Sequence, residues 1–433
     1  MQTKRTLLLN GLEIAAYQIV YGDSVLNTKV GSLTEKTIGE DLAPYLLGDN
    51  CAYDFDKQSA TRLFEIIKEQ FGVELKLVNS ADCDARSEYE ILVGNTDAGY
   101  DLNRDAYFCK QIGKKYVICG GAWGTTWHAM DAIESYLTAT DASEIDLAEI
   151  DLSGTYLLKK VACLGDSITR GSQSLPDGAG FGAPGGVAAS FGSVATSHYF
   201  ENYLGYPCNL QRMLWKDYLI FNFGQGLATM RNILDEEGNP WKFYYHGTAK
   251  YASCLALSNQ DDFAFDAVLI MLGTNDSGRD GGAKTWGEAQ GLDYLNEAEK
   301  LLSELREGSP NARFTLMNVP HSCDSHKPSE NSAAIRAIQK MTAETLFAKG
   351  YDLALFDLGA YTAANLGNGH GDTREAEIEA HADYYNIRTD TGKPDTTHPN
   401  YRGYHKIAQG VRGLIAYLLE DAEKPEWLID LKS

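Results

Sequence analysis

Four short blocks in the second half of the chain carry residue types that acyl chemistry uses. Gly165-Asp166-Ser167-Ile168-Thr169 follows the apolar run KKVACL, which puts a serine hydroxyl at the carboxyl end of a strand, where open α/β sheets hold their ligands. The chain passes there from loop to helix, and the first N–H groups of a helix lack internal acceptors, so they face a developing anion. Asn222-Phe223-Gly224 closes the run YLIFNF, and the glycine lets a backbone N–H come close to an oxyanion. Gly273-Thr274-Asn275-Asp276 follows AVLIML, where Asn275 can offer a side-chain amide to the same oxygen. The last block is Asp395-Thr396-Thr397-His398-Pro399, ahead of the final helical stretch. Taken singly these are ordinary: a lone Gly-Asp-Ser is common, an isolated D-x-x-H is more often a surface turn, and an asparagine after a strand is usually a turn or cap residue. Their weight comes from order and placement, since all four fall at strand ends or loops of one sheet.

The elements that must position them read as alternating strand and helix. Lys159–Leu164, Tyr218–Phe223, Ala267–Leu272, Arg313–Val319 and Leu353–Phe356 are nearly unbroken apolar runs, as expected of strands buried on both faces of a parallel sheet. Amphipathic helices are expected over Leu292–Leu305, Asn331–Lys349 and Lys406–Leu419. The stretches Gly171–Tyr206 and Asn365–Pro394 show no regular period and read as long loops around a site. The first half reads as mixed α/β. Leu12–Val20, Val73–Val78, Tyr89–Gly94, Ala106–Ile112 and Lys115–Cys119 are strand-like, the last two joined by a turn at Gly113-Lys114. Ser59–Phe71 has helical spacing behind a serine able to cap it, Gly72 stops it, and Thr125–Leu137 places Trp127, Met130, Ile133 and Leu137 on one face. Two helices over one face of a small sheet is the economical packing. The acidic, small-residue stretch 138–155 reads as the connection between domains 1–152 and 153–433.

Composition narrows the partners. The 433 residues are 44% hydrophobic and 23% charged, with 60 acidic against 38 basic side chains and a formal charge of −22. That excess repels phosphate backbones and anionic lipid, so neither nucleic acid nor a membrane surface is the expected partner, while a neutral small-molecule or oligosaccharide ester is compatible. No segment approaches the ~20 apolar residues of a membrane span. Lys4 and Arg5 precede only three leucines, too short for a signal-peptide core, so a cytoplasmic location is expected; a chain whose leader had been removed would read identically. The eight cysteines are scattered without metal-finger spacing and read as reduced, mostly buried thiols.

Together the four blocks resemble the SGNH hydrolases, the GDSL-type esterases, over most of residues 157–420. The resemblance implies a three-layer α/β/α flavodoxin-like domain with a parallel sheet, to which the first half, read from its own residues, adds a smaller N-terminal α+β domain. It implies Ser167 as nucleophile, His398 as general base and Asp395 as the group that holds the imidazole in the right tautomer. Ser167 N–H, Gly224 N–H and the Asn275 amide would form the oxyanion hole, with no metal or organic cofactor. The family's second block often carries another glycine further on; the run here is Asn222-Phe223-Gly224-Gln225-Gly226-Leu227, which puts the shape of that loop in question. Asp166 and Asp276 read as structural, bonding loop backbone or neighbouring blocks. GDSIT, GTND and D-x-x-HP look most like the carbohydrate acetylesterase and sialate O-acetylesterase branches, so removal of acetyl or another short acyl group from a sugar is the expected activity. The alternatives are a lysophospholipase or thioesterase acting on longer chains, or a silent carbohydrate-binding module. In the first half, YEILVGNTDAGYD and YFCKQIGKKYVICGGAWGTTWHAMDAIESYL resemble the accessory domain that precedes the barrel of family-20 β-hexosaminidases and α-glucuronidases. Phe181, Phe191, His198, Tyr199, Tyr203, Trp241, Tyr244 and Tyr245 are suited to stacking on sugars or, for each singly, to packing loops down. The other histidines lack a ligand set, and His370, Asp372, Glu375 and His381, though close together, lack H-E-x-x-H spacing.

Overall fold

The structure, a computed structural model, describes residues 5–22, 55–94, 96, 100, 102–171, 190–191, 194–195, 205–234, 238, 243–260, 263–278, 282–320, 330–366, 385–387, 394–429 and 431. The chain divides into two compact units. The first is Met1–Leu158 with Val187–Ser197 and Leu214–Tyr218; the second holds the remainder from Lys159.

In the first unit, β1 (Thr6–Leu9) pairs with β2 (Leu12–Glu13), and the chain turns through a short 3-10 segment, Ile14–Ala16, into β3 (Gln18–Tyr21). The expected single strand Leu12–Val20 is therefore two, because the 3-10 turn carries the chain from one sheet to another. β3 lies between β4 (Lys76–Asn79) and β5 (Glu90–Val93), and β6 (Ala106–Ile112) and β7 (Lys115–Gly120) form a hairpin. Gly113 at its turn has φ +63°, a value that suits glycine. Helix α1 (Phe55–Phe71) begins four residues before Ser59, so Ser59 is a buried interior residue and not the cap; Gly72, with φ +71°, ends the helix as expected. Helix α2 (Trp123–Ala139) buries Met130, Ile133 and Leu137, while Trp127 is half-buried. Both helices pack on one sheet face, against Ile19, Ile91 and Ile118, each fully buried. A side chain of that size contributes about 1.5–3 kcal/mol when it leaves water.

Residues expected as connecting chain are built into this unit. β8 (Glu144–Asp146) pairs parallel with β1, and β9 (Leu152–Thr155) pairs antiparallel with β6. A boundary at 152/153 cuts β9; the division falls between Leu158 and Lys159. The hairpin β11 (Ser190–Phe191) and β12 (Val194–Ala195) comes within the long stretch that resisted assignment.

The second unit is built on β10 (Lys159–Gly165), β13 (Tyr218–Gly224), β14 (Ala267–Met271), β15 (Arg313–Met317) and β16 (Leu353–Phe356), in the order β13-β10-β14-β15-β16 with β19 (Leu428–Ile429) antiparallel at the edge. β10, β14, β15 and β16 are parallel. Every residue of β13 and β14 is buried, as the unbroken apolar runs require of strands covered on both faces. Helices α3 (Ser167–Arg170), α4 (Tyr206–Leu214), α5 (Ala249–Ser258), α6 (Glu288–Gly308), α7 (Glu330–Ala348), α8 (Leu358–Asn365) and α9 (Tyr401–Leu419) connect and cover them. This is the three-layer α/β architecture, with an additional N-terminal unit. The strand order 2-1-3-4-5 leaves a crevice at the carboxyl ends of β10 and β14.

Candidate active site

The crevice is built by what each strand end does with its backbone. β10 runs out at Gly165, where a Cβ would overlap the Thr169 hydroxyl and the Met271 carbonyl, so a glycine is required. Asp166 then caps α3, its carboxylate accepting from Ile168 N–H at 2.9 Å, and the cap places Ser167 at the first helical position. Ser167 is buried to 6% exposure. A second hairpin, β17 (Tyr385–Ile387) with β18 (Pro394–Pro399), carries His398. Asn400 ends it by accepting from Arg402 and Gly403 N–H at 3.0 and 3.1 Å, which starts α9.

Ser167 and His398, 231 positions apart, meet: His398 Nε2 lies 2.8 Å from Ser167 Oγ. A hydroxyl at that distance from an imidazole nitrogen can lose its proton to it as the oxygen attacks an electrophile. Asp395 lies in β18, but its side chain is outside the described residues.

β14 ends in a similar way. Tyr294 Oη and Gln339 Nε2 both donate to Leu272 O at 2.7 Å, fixing the strand end from α6 and α7, and Gly273 turns the chain at φ +134°. Asn275 follows. Its Nδ2 donates to Ala228 O at 2.9 Å, and an amide nitrogen carries a second N–H. Asp276, fully buried, accepts from Met230 and Arg231 N–H at 2.9 and 3.0 Å, tying the block to the loop after β13. The structural reading of Asp166 and Asp276 matches these bonds. Burial pushes both carboxyls up to about 6, against the pull of the N–H groups they accept from, and for Asp276 the charge of Asp166 adds to the rise.

Gly224 N–H donates to Asn222 Oδ1 at 2.9 Å at the end of β13. A Cβ at this position would overlap the backbone of Thr169 and Arg170 at the end of α3, so the close approach of the two elements requires a glycine. Asn222 opens the second block, and its part as acceptor at the strand end is what the sequence does not tell. Gln225 N–H donates to Gly165 O at 2.9 Å, joining the second block to the first.

The aromatics given a choice between stacking and packing resolve to packing where described. Tyr245 is fully buried and donates to Phe223 O at 2.8 Å, and Tyr244 donates to Glu297. Phe181, His198, Tyr199, Tyr203, Trp241, His321, His326, His370, Asp372, Glu375 and His381, with the side chain of Phe191, lie outside the described residues. Among the described residues no cluster of His, Cys, Asp or Glu is arranged to hold a metal, and no helix is long and apolar enough to cross a membrane. Cys109, Cys119, Cys163, Cys208 and Cys254 are buried free thiols.

Comparison with known proteins gives a family. The model of the GDSL-like lipase/acylhydrolase family matches residues 161–411, more than half of the chain and all four blocks. No curated protein matches. Among solved structures, a family two carbohydrate esterase from Clostridium thermocellum in complex with cellohexaose is 15% identical, covering 63% of this chain and 68% of that one, at a TM-score of 0.38. A carbohydrate esterase family 2 enzyme with a carbohydrate-binding domain from Corynascus thermopiles (Myceliophthora fergusii) is 17% identical, covering 62% and 69%, at 0.38. A carbohydrate acetylesterase family member from Sinorhizobium meliloti is 17% identical, covering 61% and 100%, at 0.36. Likenesses at these TM-scores add nothing to the assignment. The family match and the ordered blocks stand without them: the chain belongs to the GDSL-like lipase/acylhydrolase family, the SGNH hydrolases.

Proposed function

We propose that this chain is a serine esterase that removes acetyl or another short acyl group from a carbohydrate. The observation that carries the reaction class is the 2.8 Å approach of His398 Nε2 to Ser167 Oγ, at the carboxyl ends of the strands of a sheet whose family hydrolyses acyl esters. Ser167 Oγ attacks the ester carbonyl while His398 takes its proton. The carbonyl oxygen becomes an oxyanion held by Ser167 N–H, Gly224 N–H and the Asn275 amide. Collapse expels the sugar hydroxyl, which takes the proton from His398, and leaves an acyl-enzyme. A water then gives its proton to His398, attacks the acyl carbon, and releases the acid and the free serine. Asp395, three residues before His398, is proposed to orient the imidazole. The sugar side of the proposal is supported by the sequence of the blocks, which reads like the carbohydrate acetylesterase branches. The first unit is proposed as a supporting domain.

The test is acetate release from a panel of acetylated mono-, oligo- and polysaccharides, with p-nitrophenyl acetate as reporter. Turnover of the reporter and of at least one acetylated sugar, both lost in Ser167→Ala, is the expected result. Full activity in that variant would remove Ser167 as nucleophile, and hydrolysis of octanoyl esters with no acetylated sugar accepted would favour a lipid substrate.

A further inference from the structure

The loop between β13 and Met230 contains a bulky apolar residue in the left-handed backbone region. Ala228 N–H donates to Gln225 O at 3.1 Å, closing the four-residue turn Gln225-Gly226-Leu227-Ala228. Leu227, at its third position, has φ +64°, the value that turns of this kind normally obtain from glycine or asparagine. Among the described residues, the other non-glycine ones with positive φ are Asn10 and Asp421, whose short polar side chains tolerate that region. A bulky apolar residue there is an outlier. Nor does core burial offset it, because Leu227 is 41% exposed.

Both ends of the turn are bonded to the proposed site. Gln225 N–H donates to Gly165 O, two residues before Ser167, and Ala228 O accepts from Asn275 Nδ2 at 2.9 Å. The turn therefore bridges the serine loop and the oxyanion amide, and a strained, exposed leucine stands next to the Asn275-bound carbonyl. Strain kept where a glycine would serve the turn better points to a role for the side chain itself. The acyl substituent of an ester whose carbonyl oxygen Asn275 holds sits on the carbonyl carbon, two bonds from that oxygen.

We propose that Leu227 is a specificity-determining residue, its side chain walling the acyl pocket and restricting the enzyme to short acyl groups. This rests on the esterase reading above. Leu227→Gly suits the positive φ and removes the wall, while Leu227→Asn suits it and keeps a side chain of nearly the same shape, so each is expected to fold with a melting temperature at or above that of the parent. The experiment measures kcat/KM of the full chain for p-nitrophenyl acetate, butyrate and octanoate, with melting temperature alongside. In Leu227→Gly the octanoate-to-acetate ratio is expected to rise about tenfold or more, the scale on which an apolar pocket discriminates by chain length, and in the near-isosteric Leu227→Asn to stay close to the parent's. A ratio unchanged in Leu227→Gly overturns the proposal. So does an equal fall on all three esters in folded protein, which would assign the turn a purely structural part. Should the parent chain hydrolyse none of the three, the esterase reading itself falls, and that is seen before any Leu227 variant is made.

Discussion

A hydroxyl, an imidazole and an amide are the groups on which the chemistry depends, and each is held by backbone bonds made by its neighbours. Ser167 is set by the Asp166 cap, His398 by a hairpin that Asn400 terminates, and Asn275 by a strand end anchored from Tyr294 and Gln339. Asn275 carries the prediction at this scale. One of its amide hydrogens goes to Ala228 O, and the other is the proposed oxyanion donor. Asn275→Ala is expected to lower kcat by about 10²–10³-fold with a smaller change in KM, as for loss of one donor to a transition-state oxyanion. Steady-state kinetics on p-nitrophenyl acetate check this; an unchanged kcat would take Asn275 out of the hole. The serine and histidine were legible from residue types in order. The packing part of Gly224 is not legible there, since a glycine after a strand fits an oxyanion donor and a close-packing site equally well. The proximity of the α3 backbone supplies that second reason.

Among the elements, the strands of the second unit were the most legible and some of its helices the least, for one physical reason. AVLIML is apolar throughout because both faces of β14 are buried, and its shortness together with the glycine that follows favours a strand over a buried helix segment. Helix α4 was missed because Asn209, Gln211 and Arg212 are buried within it. Gln211 accepts from Ile220 N–H at 2.8 Å and Arg212 donates to Asn209 at 3.0 Å, so polar residues occupy positions where a period search looks for apolar ones. Helix α1 was begun four residues late because its first turn, FDKQ, has no apolar stripe beyond Phe55. Glycines at the ends of β10 and β13 hold the elements at close approach. Gly224→Ala places a Cβ against the backbone of Thr169 and Arg170, which cannot rotate away. It is expected to destabilise the chain by about 1–3 kcal/mol and to reduce turnover by displacing α3. Chemical denaturation alongside kinetics checks it; parental stability with parental activity would show that the site tolerates the shift.

For the molecule as a whole, two units with differently titrating buried carboxyls are expected to respond to pH in opposite senses. In the first unit, Glu90 is fully buried; desolvation raises its carboxyl, but Arg86 at 2.7 and 2.9 Å, Lys115 at 2.6 Å and Ser87 N–H outweigh that and bring it from 4.5 down to about 2. A depressed carboxyl stabilises the fold above its unfolded value and loses that contribution as pH falls through the folded one. The destabilisation caused by Glu90→Gln should therefore be largest above pH 4.5 and shrink toward pH 2. In the second unit, Asp276 is raised from 3.8 to about 6, so its contribution is full below pH 3.8 and lost as pH rises through 6. Asp276→Asn should be most destabilising near pH 4 and less so at pH 7. Thermal unfolding of the two variants across pH checks both signs, and parallel pH trends would contradict them.

The pairing of Ser167 with His398 is tested most directly by a serine-selective fluorophosphonate read out by peptide mass spectrometry. One adduct per chain, on Ser167, with labelling slowed by at least ~10³-fold in His398→Ala, is the expected result. Labelling at another serine, or at Ser167 with equal speed once the imidazole is gone, would contradict it.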